Sequence, residues 1–230
     1  TVGIIGAGTM GNGIAQACAT SGINVVMVDI SEAAVQKGLA TVAGSLDRLI
    51  KKEKISAADK EAALAKIKVS TDYSALKAAQ LVIEAATENE ALKIKILQEV
   101  DALVGPEVLI ASNTSSISIT KLAAVTGRAD KFIGMHFFNP VPMMALVEVI
   151  RGLQTSDATH AAVQALAQQL GKTPITVKNG PGFVVNRVLI PMINEAFFVL
   201  AEGLATAEDI DAGMKLGCNH PIGSLALADM

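Results

Sequence analysis

The chain has 230 residues, 51% of them hydrophobic and 18% charged, with a mean hydropathy of +0.45. That is enough to bury a sizeable core, and it excludes disorder as an overall description. Nineteen basic against 22 acidic residues give a net charge of −3, without the basic stripe that a phosphate backbone requires, which argues against nucleic acid as a partner. No apolar run reaches the ~18 residues of a membrane span, and Gly3, Gly6 and Gly8 cut the first apolar stretch, so it is no signal-peptide core. The expectation is a protein of the cytoplasm, with no membrane partner.

Short β-branched runs alternate with helical stretches over the first 150 residues. Val2–Ile5, Asn24–Val28, Leu81–Glu84, Val108–Ala111 and Lys131–Met135 read as strands, so the rhythm is βαβ and the sheet mostly parallel. Between Ser31 and Lys54, apolar Val35, Leu39, Val42, Leu46 and Leu49 recur every three or four residues. This predicts one long amphipathic helix, with a second from Ala58 to Lys66. The pair is long for a plain crossover and reads as an inserted helical hairpin beside the sheet.

Farther on, Met144–Ile150 reads as a strand, Ser156 and Asp157 cap a helix that runs to Leu170, and Thr173–Lys178 reads as a last strand. Asn179-Gly-Pro-Gly182 then marks a boundary. The expected first domain is therefore 1–179. Segment 183–204 is apolar on nearly every side and must pack into something new, so 183–230 reads as the start of a helical second domain, cut short at Met230.

Gly6-Ala-Gly-Thr-Met-Gly11 fits GxGxxG directly after a strand and at the opening of a helix, and Asp29 ends the next strand 18 residues beyond Gly11. In that pattern Gly6 permits the tight turn, Gly8 lets the backbone approach a pyrophosphate, and Gly11 lets helix pack on strand. The alternative, a plain glycine turn, gives no reason for the acid. Asp29 can accept hydrogen bonds from an adenosine ribose and would repel a 2′-phosphate, and no basic residue occurs between it and Lys37. The cofactor expected is NAD rather than NADP.

His136 ends a strand at the carboxyl edge of the sheet, where open α/β folds bind ligands and where a histidine can exchange protons near neutral pH. A reversal around Pro140 and Pro142 would bring Glu148 against its ring; on spacing alone, a satisfied core histidine beside an edge-strand glutamate is the commoner reading. Ser112-Asn-Thr-Ser-Ser116 also follows a strand at that edge, and serves either as substrate contacts or as an N-cap cluster for the helix near Thr120–Val125. Ser45, Arg48 and Lys52 share one helix face, ordinarily only a solvated one. Asn186 and Arg187 interrupt an apolar helix. Cys18 and Cys218 have no CxxC or His neighbour at ligand spacing, and His136, His160 and His220 are scattered, so no metal is expected.

Five motifs coincide: the glycine loop, Ser112-Asn-Thr-Ser-Ser116, His136-Phe-Phe-Asn-Pro-Val-Pro142, Gly180-Pro-Gly-Phe-Val-Val-Asn-Arg187 and His220-Pro-Ile-Gly223. Together, from end to end of the chain, they resemble the 3-hydroxyacyl-CoA dehydrogenases, nearest to the bacterial single-function type that acts on 3-hydroxybutyryl-CoA. The resemblance implies a Rossmann-type, doubly wound α/β domain followed by a helical substrate and dimerisation domain. It implies His136 as general base with Glu148 as its partner, and Ser115 and Asn186 on the substrate. Gly6, Gly8, Gly11, Asp29, Glu88, Lys93, Ser115 and Asn139 would contact NAD, and Ser45 and Lys52 would contact coenzyme A. The partners implied are an acyl-CoA substrate and a second copy of the chain.

The sequence departs from that pattern in two places. Ser224 follows Gly223 where the family usually has proline, and the family's helical domain continues beyond the position of Met230. Two other readings are an NAD(P)-dependent 3-hydroxyacid dehydrogenase on free acids, which would use a lysine as proton donor, and a non-catalytic crystallin-like relative. His136 with Glu148 argues against both.

Overall fold

In a computed structural model covering residues 1–230, the chain divides into two compact units, Thr1–Pro181 and Gly182–Met230. Unit 1 is built on one eight-stranded sheet. In chain order the strands are β1 (Val2–Ile5), β2 (Val25–Val28), β3 (Ile67–Ser70), β4 (Leu81–Glu84), β5 (Leu109–Ser112), β6 (Phe132–Phe137), β7 (Leu146–Arg151) and β8 (Thr173–Lys178). They lie in the order β3-β2-β1-β4-β5-β6-β7-β8. All neighbours pair in parallel except β6 and β7.

The helices of unit 1 are α1 (Thr9–Thr20), α2 (Glu32–Lys51), α3 (Ala57–Ala65), α4 (Glu90–Leu103), α5 (Ile119–Ala123) and α6 (Asp157–Gln169). Side-chain caps set their starts: Ser31, Asn89, Ser118 and Ser156 each accept a hydrogen bond from an amide three residues on, and Ser56 forms a reciprocal capping box with Asp59. Strands β1, β2 and β4 are buried at every position. That is why they read as unbroken apolar runs rather than alternating ones. Ile4, Met27, Ile83, Ile133 and Val147 carry the core along the sheet, and Val35, Val42 and Leu46 pack the stripe of α2 into the same cluster. Each such side chain contributes roughly 1.5–3 kcal/mol on burial.

The α2–α3 hairpin lengthens the crossover into β3, a strand with no clear mark in the sequence. β3 is an edge strand: it pairs only with β2, and Lys68 is exposed while Val69 and Ser70 are half-buried. Four residues with one buried position give no period to read. Strand β6 runs two residues farther than its apolar run suggests, because antiparallel pairing with β7 carries the ladder to Phe137 opposite Val147.

Unit 2 holds α7 (Val185–Ala201), α8 (Ala207–Gly217) and α9 (Ser224–Ala228), which pack on one another. Thr206 caps α8, and the Asp211 carboxylate accepts from the amides of Leu225 and Ala226 at 2.8 and 2.9 Å, so α8 fixes the start of α9. A cavity of about 470 Å³ lies among Met192, Ala196, Val199, Ile210, Met214 and Ser224. The Ser224 hydroxyl is buried there with no hydrogen-bond partner. Ala196 is the one buried residue of α7, and Val188, Ile190, Phe197 and Phe198 stand about half exposed or more. No helix in the structure is long and apolar enough to cross a membrane.

Candidate active site

The β1–α1 turn is shaped by what its residues lack. Gly6 adopts a φ of +100°, and a Cβ there would stand 2.6 Å from the Ala85 carbonyl oxygen. A Cβ on Gly11 would come within 1.7 Å of the Gly6 oxygen. At Gly8 a Cβ would meet nothing within 4 Å, so the space above it is open. Gly8 is also the N-cap of α1 and offers no side-chain cap, and the first turn carries no acid. The opening amides and positive dipole end of the helix therefore face a site suited to an anion.

Beside this turn a cavity of about 310 Å³ is lined by Gly8, Thr9, Asn12, Asp29, Lys37 and Thr41, among others. Asp29, one residue past β2, ties the turn down: its Oδ2 accepts from the Ala7 amide and its Oδ1 from the Ile30 amide, both at 2.7 Å. The remaining lone pairs of a carboxylate so placed can take the hydroxyls of a ribose. Open space over Gly8, an uncapped helix start and a ribose-accepting acid are the features that a dinucleotide requires.

At the carboxyl ends of β4, β5 and β6 the construction is opposite: side chains fill the site and hold one another. His136 and Glu148 stand opposite each other in the β6–β7 register, and Nδ1 lies 2.8 Å from Glu148 Oε2. Glu148 is fully buried and His136 nearly so. A carboxylate can only accept here, so Nδ1 turns its proton to Glu148 and, in the neutral form of the ring, the lone pair lies on Nε2. The Phe138 ring packs against the imidazole with centroids 4.6 Å apart.

Next to β6, the Asn113–Ser116 loop is pinned from both sides. Asn113 Oδ1 accepts from the Phe137 amide at 2.8 Å, tying the loop to the residue after His136. Glu88, in the loop leading into α4, receives the Thr114 hydroxyl at 2.7 Å on Oε2, and the Ser115 amide at 2.7 Å and hydroxyl at 3.2 Å on Oε1. The Thr114 hydroxyl in turn accepts from the amides of Ser116 and Ile117. Of the two roles open to Ser112–Ser116, capping α5 falls to Ser118 instead. The hydroxyls of Ser112, Thr114 and Ser115 all turn to carboxylates.

Beneath the loop, Glu84 ends β4 with no exposure. Its carboxylate accepts both contacts of the Lys93 ammonium, at 2.6 and 2.8 Å, the Ser112 hydroxyl at 2.8 Å and the Ala86 amide at 2.9 Å. Lys93 is itself 1% exposed. An ammonium so placed reaches the site as the counter-charge of Glu84. Past β6 the chain reverses at Asn139-Pro140, a cis peptide, with Asn139 exposed. Lys172 holds this reversal by donating to the carbonyls of Val141 and Met144 at 2.5 and 2.8 Å, and partial burial lowers its ammonium from the ordinary lysine value.

The other expected residues lie elsewhere. Ser45 is half-buried on α2, and Lys52 is the exposed C-cap of that helix. Asn186 is the second residue of α7, in unit 2. Sequence reasoning named Asn113 and Thr114 only as members of the Ser112–Ser116 loop and Lys37 only as the first basic residue after Asp29. It missed Glu84, whose one signal is that it is the acid closing an otherwise apolar strand.

Comparison with known proteins gives one answer. Residues 1–180 match the family model of the 3-hydroxyacyl-CoA dehydrogenase NAD binding domain, and 182–230 match that of the 3-hydroxyacyl-CoA dehydrogenase C-terminal domain. A 3-hydroxybutyryl-CoA dehydrogenase of Bradyrhizobium diazoefficiens is 49% identical over 99% of this chain and 78% of its own. The mitochondrial hydroxyacyl-coenzyme A dehydrogenase of Rattus norvegicus is 44% identical over 99% of this chain and 74% of its own. The crystal structure of (S)-3-hydroxybutyryl-CoA dehydrogenase from Ralstonia eutropha superposes with a TM-score of 0.98 at 78% identity, covering all of this chain and 81% of that one. The chain belongs to the 3-hydroxyacyl-CoA dehydrogenase family.

Proposed function

We propose that the protein oxidises a (3S)-3-hydroxyacyl-CoA, of the 3-hydroxybutyryl-CoA class, to the 3-oxoacyl-CoA with NAD, and runs the reverse reduction through the same groups. The observation that carries the reading is the buried His136–Glu148 pair at the carboxyl edge. NAD, when bound, supplies the acceptor for the hydride that leaves C3. His136 Nε2 takes the C3 hydroxyl proton, the O–H pair becomes the second bond of the carbonyl, and Glu148 stabilises the imidazolium that results. Reduction returns the proton from Nε2 to the forming alkoxide.

Gly6, Gly8 and Gly11 shape the pyrophosphate cradle and Asp29 takes the ribose. Ser115 and Asn186 contact the substrate, with Ser115 and Asn139 also toward the nicotinamide. Glu88 and Lys93 serve that end by holding Ser115 and Glu84. Ser45 and Lys52 face coenzyme A. The likeness to bacterial 3-hydroxybutyryl-CoA dehydrogenases supports a place in the cytoplasm. The exposed apolar side chains of α7 support a homodimer through unit 2, the two-fold pairing being the commonest arrangement of soluble oligomers. A monomer mass by light scattering at micromolar concentration would defeat that part.

The decisive assay is NADH oxidation with acetoacetyl-CoA against free acetoacetate. The reading expects turnover with the thioester and little with the free acid. Equal efficiency with both would favour a free-acid dehydrogenase.

A further inference from the structure

Coenzyme choice in this protein rests on more than Asp29. The cavity that holds Asp29 also takes Lys37 into its wall, eight residues on in sequence but one and a half turns into α2. This lysine is exposed and belongs to none of the ion pairs of the structure. Its helical neighbours at three and four residues are Ala33, Ala34, Ala40 and Thr41, so no acid on α2 is placed to neutralise it. Glu32, at the start of the helix, accepts from the Gln36 side-chain Nε2 instead. The Thr41 hydroxyl turns back to the Lys37 carbonyl at 2.9 Å and offers the cavity no donor.

Two opposite charges thus share one cavity without pairing, and they come from different parts of the fold. The pyrophosphate cradle belongs to the β1–α1 turn. Lys37 belongs to the helix that opens three residues after Asp29, the ribose-binding acid, so it serves the adenosine end. A phosphate on the ribose 2′-oxygen would meet both: Asp29 repels it and the ammonium attracts it.

We propose that Lys37 makes the adenosine end a latent 2′-phosphate site that Asp29 keeps shut, so that the pair sets the preference for NAD. The inference rests on the NAD-binding reading above.

The test compares the parent protein with Asp29→Asn, Lys37→Ala and the double variant. Dissociation constants for NADH and NADPH are read from ligand fluorescence, with adenosine 2′-monophosphate and 5′-monophosphate as competitors. Asp29→Asn keeps an oxygen for the Ala7 amide and removes the charge. It should improve the NADPH-to-NADH affinity ratio by about tenfold, and Lys37→Ala in that background should remove about fivefold of the gain, as expected for a screened charge pair. The Lys37 effect should shrink at high salt, and adenosine 2′-monophosphate should compete better only where Lys37 is present.

An equal gain with alanine at 37 overturns the proposal. So does equal weakening of both dinucleotides by Lys37→Ala, which would make Lys37 a general phosphate contact. Should Asp29→Asn lose NADH binding, the parent and Lys37→Ala decide alone: NADPH must weaken more than NADH. A parent that binds no NADH defeats the cofactor reading itself, whereas NADH binding with an unchanged ratio defeats this inference only.

Discussion

At the β1–α1 turn the fold prepares a site by leaving side chains out, whereas at the ends of β4, β5 and β6 it prepares one by packing carboxylates in. The turn depends on a Gly11 that admits no Cβ and a Gly8 with open space above it. The carboxyl edge depends on the buried Glu84 and Glu148 and, at its exposed rim, on Glu88, each already holding hydrogen-bond donors of the protein. The difference teaches how each half resists change. A backbone cradle fails by collision, which is local and leaves the core intact. A network of buried charges fails by desolvation, because removing one member strands another in a medium that cannot solvate it.

That contrast orders the expected effects. The largest falls on the buried pair. Lys93→Met leaves the Glu84 charge uncompensated and should lower unfolding stability by roughly 3–5 kcal/mol, while Lys93→Met with Glu84→Gln should recover part of the loss. Urea unfolding of the two variants checks it; a loss as great in the double variant would mean that packing, not charge, is at stake.

Gly11→Ala comes next. Its methyl must displace the Gly6 carbonyl, so NADH affinity should fall by roughly a hundredfold while thermal stability changes far less, since a misplacement of about 1 Å suffices for such a loss. Calorimetric titration with NADH reads the first and a melting curve the second. A collapse of both together would erase the distinction between the two halves.

Glu88→Gln sharpens the comparison within the catalytic edge. It replaces one acceptor oxygen of a carboxylate that holds both Thr114 and Ser115. Turnover of acetoacetyl-CoA should drop by about tenfold, the scale of one hydrogen bond to a charged group. Unchanged kcat and KM would show that the loop holds itself.

The smallest effect belongs to a solvated charge outside both halves. Lys52→Ala should raise the KM for acetoacetyl-CoA a few-fold at low salt and hardly at all at high salt. A KM unmoved at low ionic strength removes Lys52 from the coenzyme A contact.

The two halves were also unequally legible. A glycine turn is written in six consecutive residues, and the apolar runs of β1, β2 and β4 announce a covered parallel sheet, so cradle and architecture could be read directly. His136 and Glu148 could be paired only by supposing the reversal that the β6–β7 register makes. The Glu88 clasp on Thr114 and Ser115 spans 26 and 27 residues of sequence and joins two loops, a juxtaposition that no local period encodes. Lys93 illustrates the same limit: only the family resemblance pointed to it, as a cofactor contact, while its burial against Glu84 is a property of packing. Lys37 enters the sequence only as the first basic residue after Asp29, eight positions on, and it is α2 that brings the two to one cavity.

The account stands or falls on the Nε2 of His136 as the proton carrier. His136→Gln keeps a polar side chain beside Glu148 and removes the imidazole nitrogen Nε2. With the variant shown to be folded, turnover of acetoacetyl-CoA with NADH should fall by roughly a hundred- to ten-thousand-fold, the usual contribution of a positioned acid or base, while the dissociation constant for NADH stays close to that of the parent. Near-normal turnover in that variant would contradict the assignment outright.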